Sequence, residues 1–211
     1  MKIYFSLFLA FVLIGCKSDE ILNLRTAKDR VQNYYESGKY DEEMNKILDD
    51  AKEKFSKIEI NKNSAVIFDV DDTALSNYEI SKRLDFGYDH TIVQDFVMSA
   101  KLPAIKQTKE LFDFLKSKNA KLIFLTGRYA DEYDATYKNL IDQGYTGFDT
   151  LIVRNETDKE LKSQVYKTKV RENLTKAGYK IIATVGDQWT DLNGDYSGIK
   201  IKVPNYLYEI N

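Results

Sequence analysis

A doubly wound α/β fold, with a parallel sheet flanked by helices, is what this sequence predicts, and three observations carry the prediction. Three short apolar runs, Ala65-Val66-Ile67-Phe68, Lys121-Leu122-Ile123-Phe124-Leu125 and Ile181-Ile182-Ala183-Thr184-Val185, have the length of strands buried on both faces of a parallel sheet. Helical periodicity fills 130–143 and 163–177; the second stretch puts Tyr166, Val170, Leu174 and Ala177 on one stripe and closes at Gly178. Each apolar run ends in a polar motif, and in such sheets ligands bind at the carboxyl ends of the strands.

Lys2 precedes an apolar run, 3–14, interrupted only by Ser6, that is too short to span a bilayer comfortably and is shaped like a secretory signal. The run ends at Leu13-Ile14-Gly15-Cys16, which resembles a bacterial lipobox, where the signal is removed and the cysteine acylated. Cys16 is the only cysteine and so has no disulfide partner within the chain. The expectation is a signal at 1–15, an acylated Cys16 with a tether at 16–22, and one folded domain at 23–211. The mature protein is then an exported lipoprotein, anchored to a membrane and facing the periplasm or the cell surface.

From about 23 to 58 the pattern is helical, broken at Ser37-Gly38. Met44, Ile47, Leu48, Ala51, Phe55 and Ile58 form one stripe that reads as core. The composition, 43% hydrophobic and 30% charged, is ordinary for a domain with a full core. A net charge of -2 recruits neither a nucleic-acid polymer nor anionic lipid. Two prolines and no Gly/Ser-rich run leave no obvious linker.

The motifs point to phosphoryl chemistry. Phe68-Asp69-Val70-Asp71-Asp72-Thr73 places two acids, one residue apart, where the chain leaves a strand. Asp69 suits attack on phosphorus to give an aspartyl-phosphate; Asp71 suits protonation of the departing alkoxide and later deprotonation of water. A carboxylate approaching a phosphate dianion needs neutralising groups. Thr126 and Gly127 offer a hydroxyl and a backbone N–H to phosphoryl oxygens, and Lys167 offers a compact positive charge. Asp187, the Asp69 carboxylate and the Asp71 backbone carbonyl suit a hard Mg²⁺ ion, with Asp191 bound to its water shell or assisting directly. Asp72 reads as a structural hydrogen-bond partner and Arg128 as a brace for its loop. His90 reads as a loop residue, Tyr78, Phe86, Tyr88 and Phe96 as packing, and Trp189 as packing beneath the metal loop.

Together these motifs resemble the four-aspartate acid phosphatases, subfamily IIIB of the haloacid dehalogenase (HAD) superfamily, related to bacterial class B and class C acid phosphatases and plant vegetative storage proteins. The stretches that carry the resemblance are 68–77, Thr126-Gly127-Arg128, Tyr166-Lys167-Thr168-Lys169-Val170-Arg171, 186–192 and the closing Val203-Pro204-Asn205-Tyr206-Leu207-Tyr208. The resemblance runs from about Tyr34 to the end. It implies a Rossmann-like core, a mainly helical cap at about 78–104, Mg²⁺, and hydrolysis of a phosphomonoester, with nucleoside monophosphates among the candidates. A non-catalytic binding or storage lipoprotein on the same fold, and a phosphotransferase, are the competing readings. A dehalogenase is disfavoured, because halide departs without the proton that Asp71 would supply.

Overall fold

In a computed structural model, residues 21–210 are described; Cys16, its signal and the first part of its tether lie outside them. Two helices open the described chain, α1 (Leu24–Glu36) and α2 (Lys39–Ser56), and the break between them falls at Gly38, whose φ of 89° suits a residue without a Cβ. Then follow β1 (Ser64–Phe68), α3 (Tyr78–Arg83), α4 (His90–Ser99), α5 (Lys106–Ser117), β2 (Lys121–Tyr129), α6 (Tyr133–Asp142), β3 (Thr150–Arg154), α7 (Ser163–Lys176), β4 (Lys180–Gly186), α8 (Trp189–Leu192) and β5 (Ile199–Lys202). The five strands form one sheet in the order β3-β2-β1-β4-β5, and every pairing is parallel. The expected α/β fold is therefore present.

Alternation along β1 splits the core in two. Val66 and Phe68 face a large cluster with Met44, Leu48, Ala51 and Phe55 of α2 and Leu111, Phe112 and Leu115 of α5. Ala65 and Ile67 face a smaller one with Ile123, Leu125 and Tyr166, against which Val170 and Leu174 of α7 pack. Helix α2 is thus a structural layer of the sheet, not an appendage. Its stripe ends at Phe55, since Ile58 lies beyond the helix and is exposed. Ala177, at the C-cap of α7, is likewise exposed.

Strands β3 and β5 and helix α5 were not placed by the sequence reading. Strand β3 has only three consecutive aliphatic residues, Leu151-Ile152-Val153, and β5 alternates as Ile199-Lys200-Ile201-Lys202. Both are edge strands, where one flank needs no cover.

The segment between β1 and α5 carries the two helices α3 and α4. It docks against α1 through Lys28–Asp85 and Lys82–Glu36, both at 2.5 Å, and through Tyr78, which stacks on Tyr35 with centroids 4.7 Å apart. His90 is the first residue of α4, behind the N-cap Asp89, whose carboxylate accepts from the Ile92 N–H at 3.0 Å. The aromatics expected to pack together here diverge. Tyr78 faces α1, Phe96 lies under the Arg83 guanidinium, and Tyr88 is 76% exposed. Two short helices joined by 84–89 have too little interior to hold four rings.

Candidate active site

The site assembles at the carboxyl ends of β1, β2 and β4, where the sheet's pairing stops and backbone groups become available. Asp69 follows β1, and its N–H still donates to the Val185 carbonyl at 2.9 Å, so the nucleophile candidate is held by the last ladder bond of the central strand. The chain then turns tightly. Asp72 takes φ 54°, its N–H donates to Leu75 O at 2.7 Å, and its carboxylate accepts the Asn77 N–H at 2.8 Å. Asp72 therefore has the structural role expected of it. From beneath, the buried Tyr145 hydroxyl donates to the Ala74 carbonyl at 2.9 Å, and the Tyr145 ring meets Phe112 and Phe124 edge-on. The turn is thereby tied to the aromatic core.

Asp187 and Asp191 follow β4. Asp191 is the third residue of α8, and its Oδ2 accepts the Gln188 N–H at 2.9 Å in a capping box. Gly186 makes this possible, because a Cβ there would lie 2.6 Å from the Asp191 side chain. Gly186→Ala is accordingly expected to displace Asp191 and lower kcat/KM on the order of a hundredfold. Steady-state kinetics beside metal titration check this; wild-type values for both would contradict the placement. Asp187 accepts from Thr73 at 3.2 Å, Gln188 at 2.7 Å and Asn205 at 2.6 Å.

Asp69, Asp187 and Asp191 are all buried and offer carboxylate oxygens within 4.8 Å of one another. Lys167, from the first turns of α7, places Nζ 2.5 Å from both Asp69 and Asp191. Burial, with Asp191 next, pushes Asp187 up to about 7. Burial also raises Asp69 well above the ordinary carboxylate range, although Lys167 opposes it. For Lys167 burial works the other way, yet the two aspartates outweigh it and raise its affinity for its proton. One ammonium among three buried carboxylates leaves two formal negative charges, and the donor set is all oxygen. Those properties fit a hard divalent cation.

The Asp71 carboxylate is not in that triad. Arg128 grips it with Nε at 3.0 Å and Nη2 at 2.7 Å, and Asn77 donates to it at 3.0 Å. Burial would raise Asp71, but Arg128 and then Asn77 outweigh it and hold it below its usual value. The backbone bonds of the turn run through Val70 and Asp72, and none of them engages the Asp71 carbonyl. Arg128 braces Asp71 itself rather than only its loop.

Gly127 lines the cavity, whereas Thr126 is fully buried and its hydroxyl oxygen accepts the Arg128 N–H at 3.1 Å. Trp189 departs from expectation. It is 54% exposed, with the Lys202 ammonium 6.0 Å from its ring, because Thr190 and Leu192 take the inward positions of α8.

The sequence reading assigned no role to several residues that shape the site. Arg171 is fully buried and donates to the carbonyls of Asp191 and Asn193 at 2.5 Å, and to that of Asp195 at 3.1 Å. Asn205 reaches Asp187, and the Gln188 amide bonds both Tyr208 O and the Ile210 N–H, at 3.3 and 3.1 Å. The segment after β5 therefore straps the β4 loop. Above these groups opens a cavity of about 800 Å³. Its floor is Asp69, Asp71, Lys167, Asp187 and Asp191, and its walls include Ile80, Leu84, Phe86 and Val93 from the inserted segment and Leu207, Tyr208 and Ile210 from the strap.

This geometry has relatives. The solved class C acid phosphatase from Bacillus anthracis superposes with a TM-score of 0.71 at 19% identity, covering 88% of this chain and 85% of that one. A stem 31 kDa glycoprotein of Glycine max is 34% identical over 160 residues, 74% of this chain and 63% of that protein, so the match spans under two thirds of this relative's length. Vegetative storage protein 1 of Arabidopsis thaliana is 30% identical over 208 residues, 93% of this chain and 77% of that protein. Residues 15–211 match the family described as HAD superfamily, subfamily IIIB (acid phosphatase). With strand-end acids, a parallel core and a match over nearly its whole length, the chain belongs to subfamily IIIB, the acid phosphatases of the HAD superfamily.

Proposed function

We propose that the protein is a Mg²⁺-dependent phosphomonoesterase working through an aspartyl-phosphate on Asp69. The observation that carries the proposal is the convergence of Asp69, Asp187 and Asp191 on Lys167 at the floor of the cavity. Asp69, Asp187 and Asp191, with the Asp71 carbonyl, would hold the cation, which when bound supplies neutralisation of phosphoryl charge.

An Asp69 carboxylate oxygen attacks phosphorus, the bond to the ester oxygen breaks, and the alkoxide takes a proton. Lys167 and the Gly127 backbone neutralise and orient the phosphoryl oxygens. Asp71 lies beside Asp69 as the proton donor. Arg128 favours the charged form in the resting site, so Asp71 first takes a proton from solvent and passes that proton to the alkoxide as the ester bond breaks. The charged form is the one needed afterwards, when Asp71 takes a proton from the water that attacks phosphorus and frees Asp69.

Phosphate release by the purified protein from an aryl phosphate and a panel of nucleoside monophosphates, with Mg²⁺ and with EDTA, tests the reading. Activity with Mg²⁺ and none with EDTA is expected. Activity indifferent to chelation would overturn the metal's role. Mg²⁺ at a hundredfold excess over its Kd should also stabilise the fold by about 2.7 kcal/mol, raising Tm by roughly 5–10 °C in a calorimetric scan, and EDTA should reverse it. The storage proteins among the relatives keep a second reading in view, binding without turnover. It gains if Mg²⁺ stabilises the protein and no ester is hydrolysed.

The leader belongs to the same proposal. Cys16 is taken as acylated, anchoring the enzyme to a membrane, where it faces the periplasm or the cell surface. Labelled palmitate should enter the wild-type protein in a bacterial host and be lost in Cys16→Ala; equal labelling of both sinks the anchor.

A further inference from the structure

Arg154, the last residue of β3, is unexplained by the chemistry above. It lines the same cavity as Asp69 and Lys167, yet is only 8% exposed. A buried guanidinium ordinarily has a carboxylate partner, but among the described residues Arg154 enters no ion pair, in contrast to Arg128, the other cavity arginine. Its Nη1 donates to the carbonyls of Leu161 at 2.7 Å and Lys159 at 3.4 Å, its face lies 4.8 Å from the centroid of Tyr166, and its Nε has no partner. The acid nearest in sequence on the cavity wall, Glu132, is engaged by the Tyr129 N–H at 2.7 Å.

Beside it stands the N-terminus of α7, a helix of 14 residues. Its N-cap is Lys162, no side chain caps it, and its first turn carries no acid. The first backbone N–H groups and the positive end of the helix dipole are therefore uncompensated by protein. Ser163, the first residue of α7, also lines the cavity and lies one turn before Lys167, on the same face. The helix that brings Lys167 to Asp69 thus brings its own anion-attracting end to a neighbouring part of the cavity.

We infer that Arg154, Ser163 and the N-terminal turn of α7 form a second anion subsite, and that the preferred substrates are phosphomonoesters bearing a further anionic group, a carboxylate or a second phosphate. The inference rests on the phosphomonoesterase reading of the same cavity. The bonds from Nη1 to the 159–161 loop set the guanidinium's orientation, and the ring of Tyr166 supports its face. The backbone N–H groups and the Ser163 hydroxyl add donors of the kind that bind anions at helix starts. The reacting phosphoryl group would sit at Asp69 and the second anion at Arg154.

The test compares matched esters: 3-phosphoglycerate against glycerol 3-phosphate, and a nucleoside 3′,5′-bisphosphate against its 5′-monophosphate. The wild-type enzyme is expected to favour the more anionic member of at least one pair by roughly tenfold in KM, the size of a charge-assisted contact. The pair that shows it separates a carboxylate from a phosphate. Arg154→Gln should erase the preference, Arg154→Lys should retain part of it, and Ser163→Ala should weaken it. A purely structural Arg154 would lower both members of a pair by one factor, and that result overturns the subsite, as does a wild-type enzyme indifferent to the second anion. Calorimetric binding of the same pairs to Asp69→Asn protein gives an answer without turnover. Tighter binding of the more anionic ester, lost when Arg154→Gln is added, establishes the subsite even if no ester is hydrolysed, and equal binding of both members refutes it.

Discussion

Asp69→Asn should lower kcat for any phosphomonoester by about 10⁴-fold or more while leaving the protein folded. The nucleophile is lost outright, since an amide oxygen cannot carry the phosphoryl group as a hydrolysable acyl phosphate. The fold has reasons to tolerate the change. Asn occupies nearly the same volume, the backbone bond from residue 69 to Val185 is untouched, and Lys167 keeps Asp191 at 2.5 Å. Burial disfavours the Asp69 charge in the native protein, so removing that charge is expected to leave Tm unchanged or slightly higher without metal. Single-turnover kinetics with trapping of the phosphorylated protein, beside a thermal scan, decide it. Retained turnover sinks the proposed mechanism; lost turnover with a collapsed Tm says only that Asp69 is structural.

The second large effect falls on stability. Arg171→Met should destabilise the protein by about 3 kcal/mol or more and weaken metal binding at the same time. The guanidinium is fully buried and bonds the carbonyls of Asp191, Asn193 and Asp195, together with Thr168 Oγ1 at 3.1 Å. Methionine fills part of the volume and satisfies none of those acceptors, and each acceptor stranded away from water costs about 1–3 kcal/mol. Asp195 and part of Asn193 reach solvent, which limits the loss. With Tm moving about 2–4 °C per kcal/mol in a domain of this size, a drop of roughly 6–12 °C is expected. Arg171→Lys should recover little, since one ammonium cannot replace a fork addressing separated carbonyls. Urea denaturation within 1 kcal/mol of wild type would show that the loop holds its shape without Arg171.

How much of this was legible beforehand follows from the range of the interactions. Strands β1, β2 and β4 stand out because the middle of a parallel sheet demands continuous apolar runs, and the acids that follow them mark the strand ends without further information. Asp69 and Asp187 could be placed on that basis alone, whereas Lys167 lies on a helix and was picked out by its Tyr166-Lys167-Thr168 setting. Strands β3 and β5 could not, because an edge position tolerates a short or alternating pattern that a loop also tolerates. Helix α5 does carry a legible stripe at Leu111, Phe112 and Leu115. The supporting contacts are another matter. Thr73 meets Asp187 across 114 positions, and Arg128 meets Asp71 across 57. No local spacing encodes such pairings; they exist once the strand order is known. Trp189 shows the converse error, since a large ring beside a buried motif suggests a buried ring, whereas a four-residue helix has an outer side that some residue must occupy.

That outward tryptophan has a use. Trp189 is the only tryptophan in the chain, and it sits between the carboxylates of Asp187 and Asp191 in sequence, on the four-residue helix that positions the second of them. Its indole is half in water and near the Lys202 ammonium, so its emission responds to small changes in polarity and local field. The protein therefore carries an intrinsic fluorophore on the loop that would tighten around a cation or a phosphoryl group. Occupancy of the site can be followed optically, in real time and without a label, by the one side chain of that loop that the fold left facing solvent.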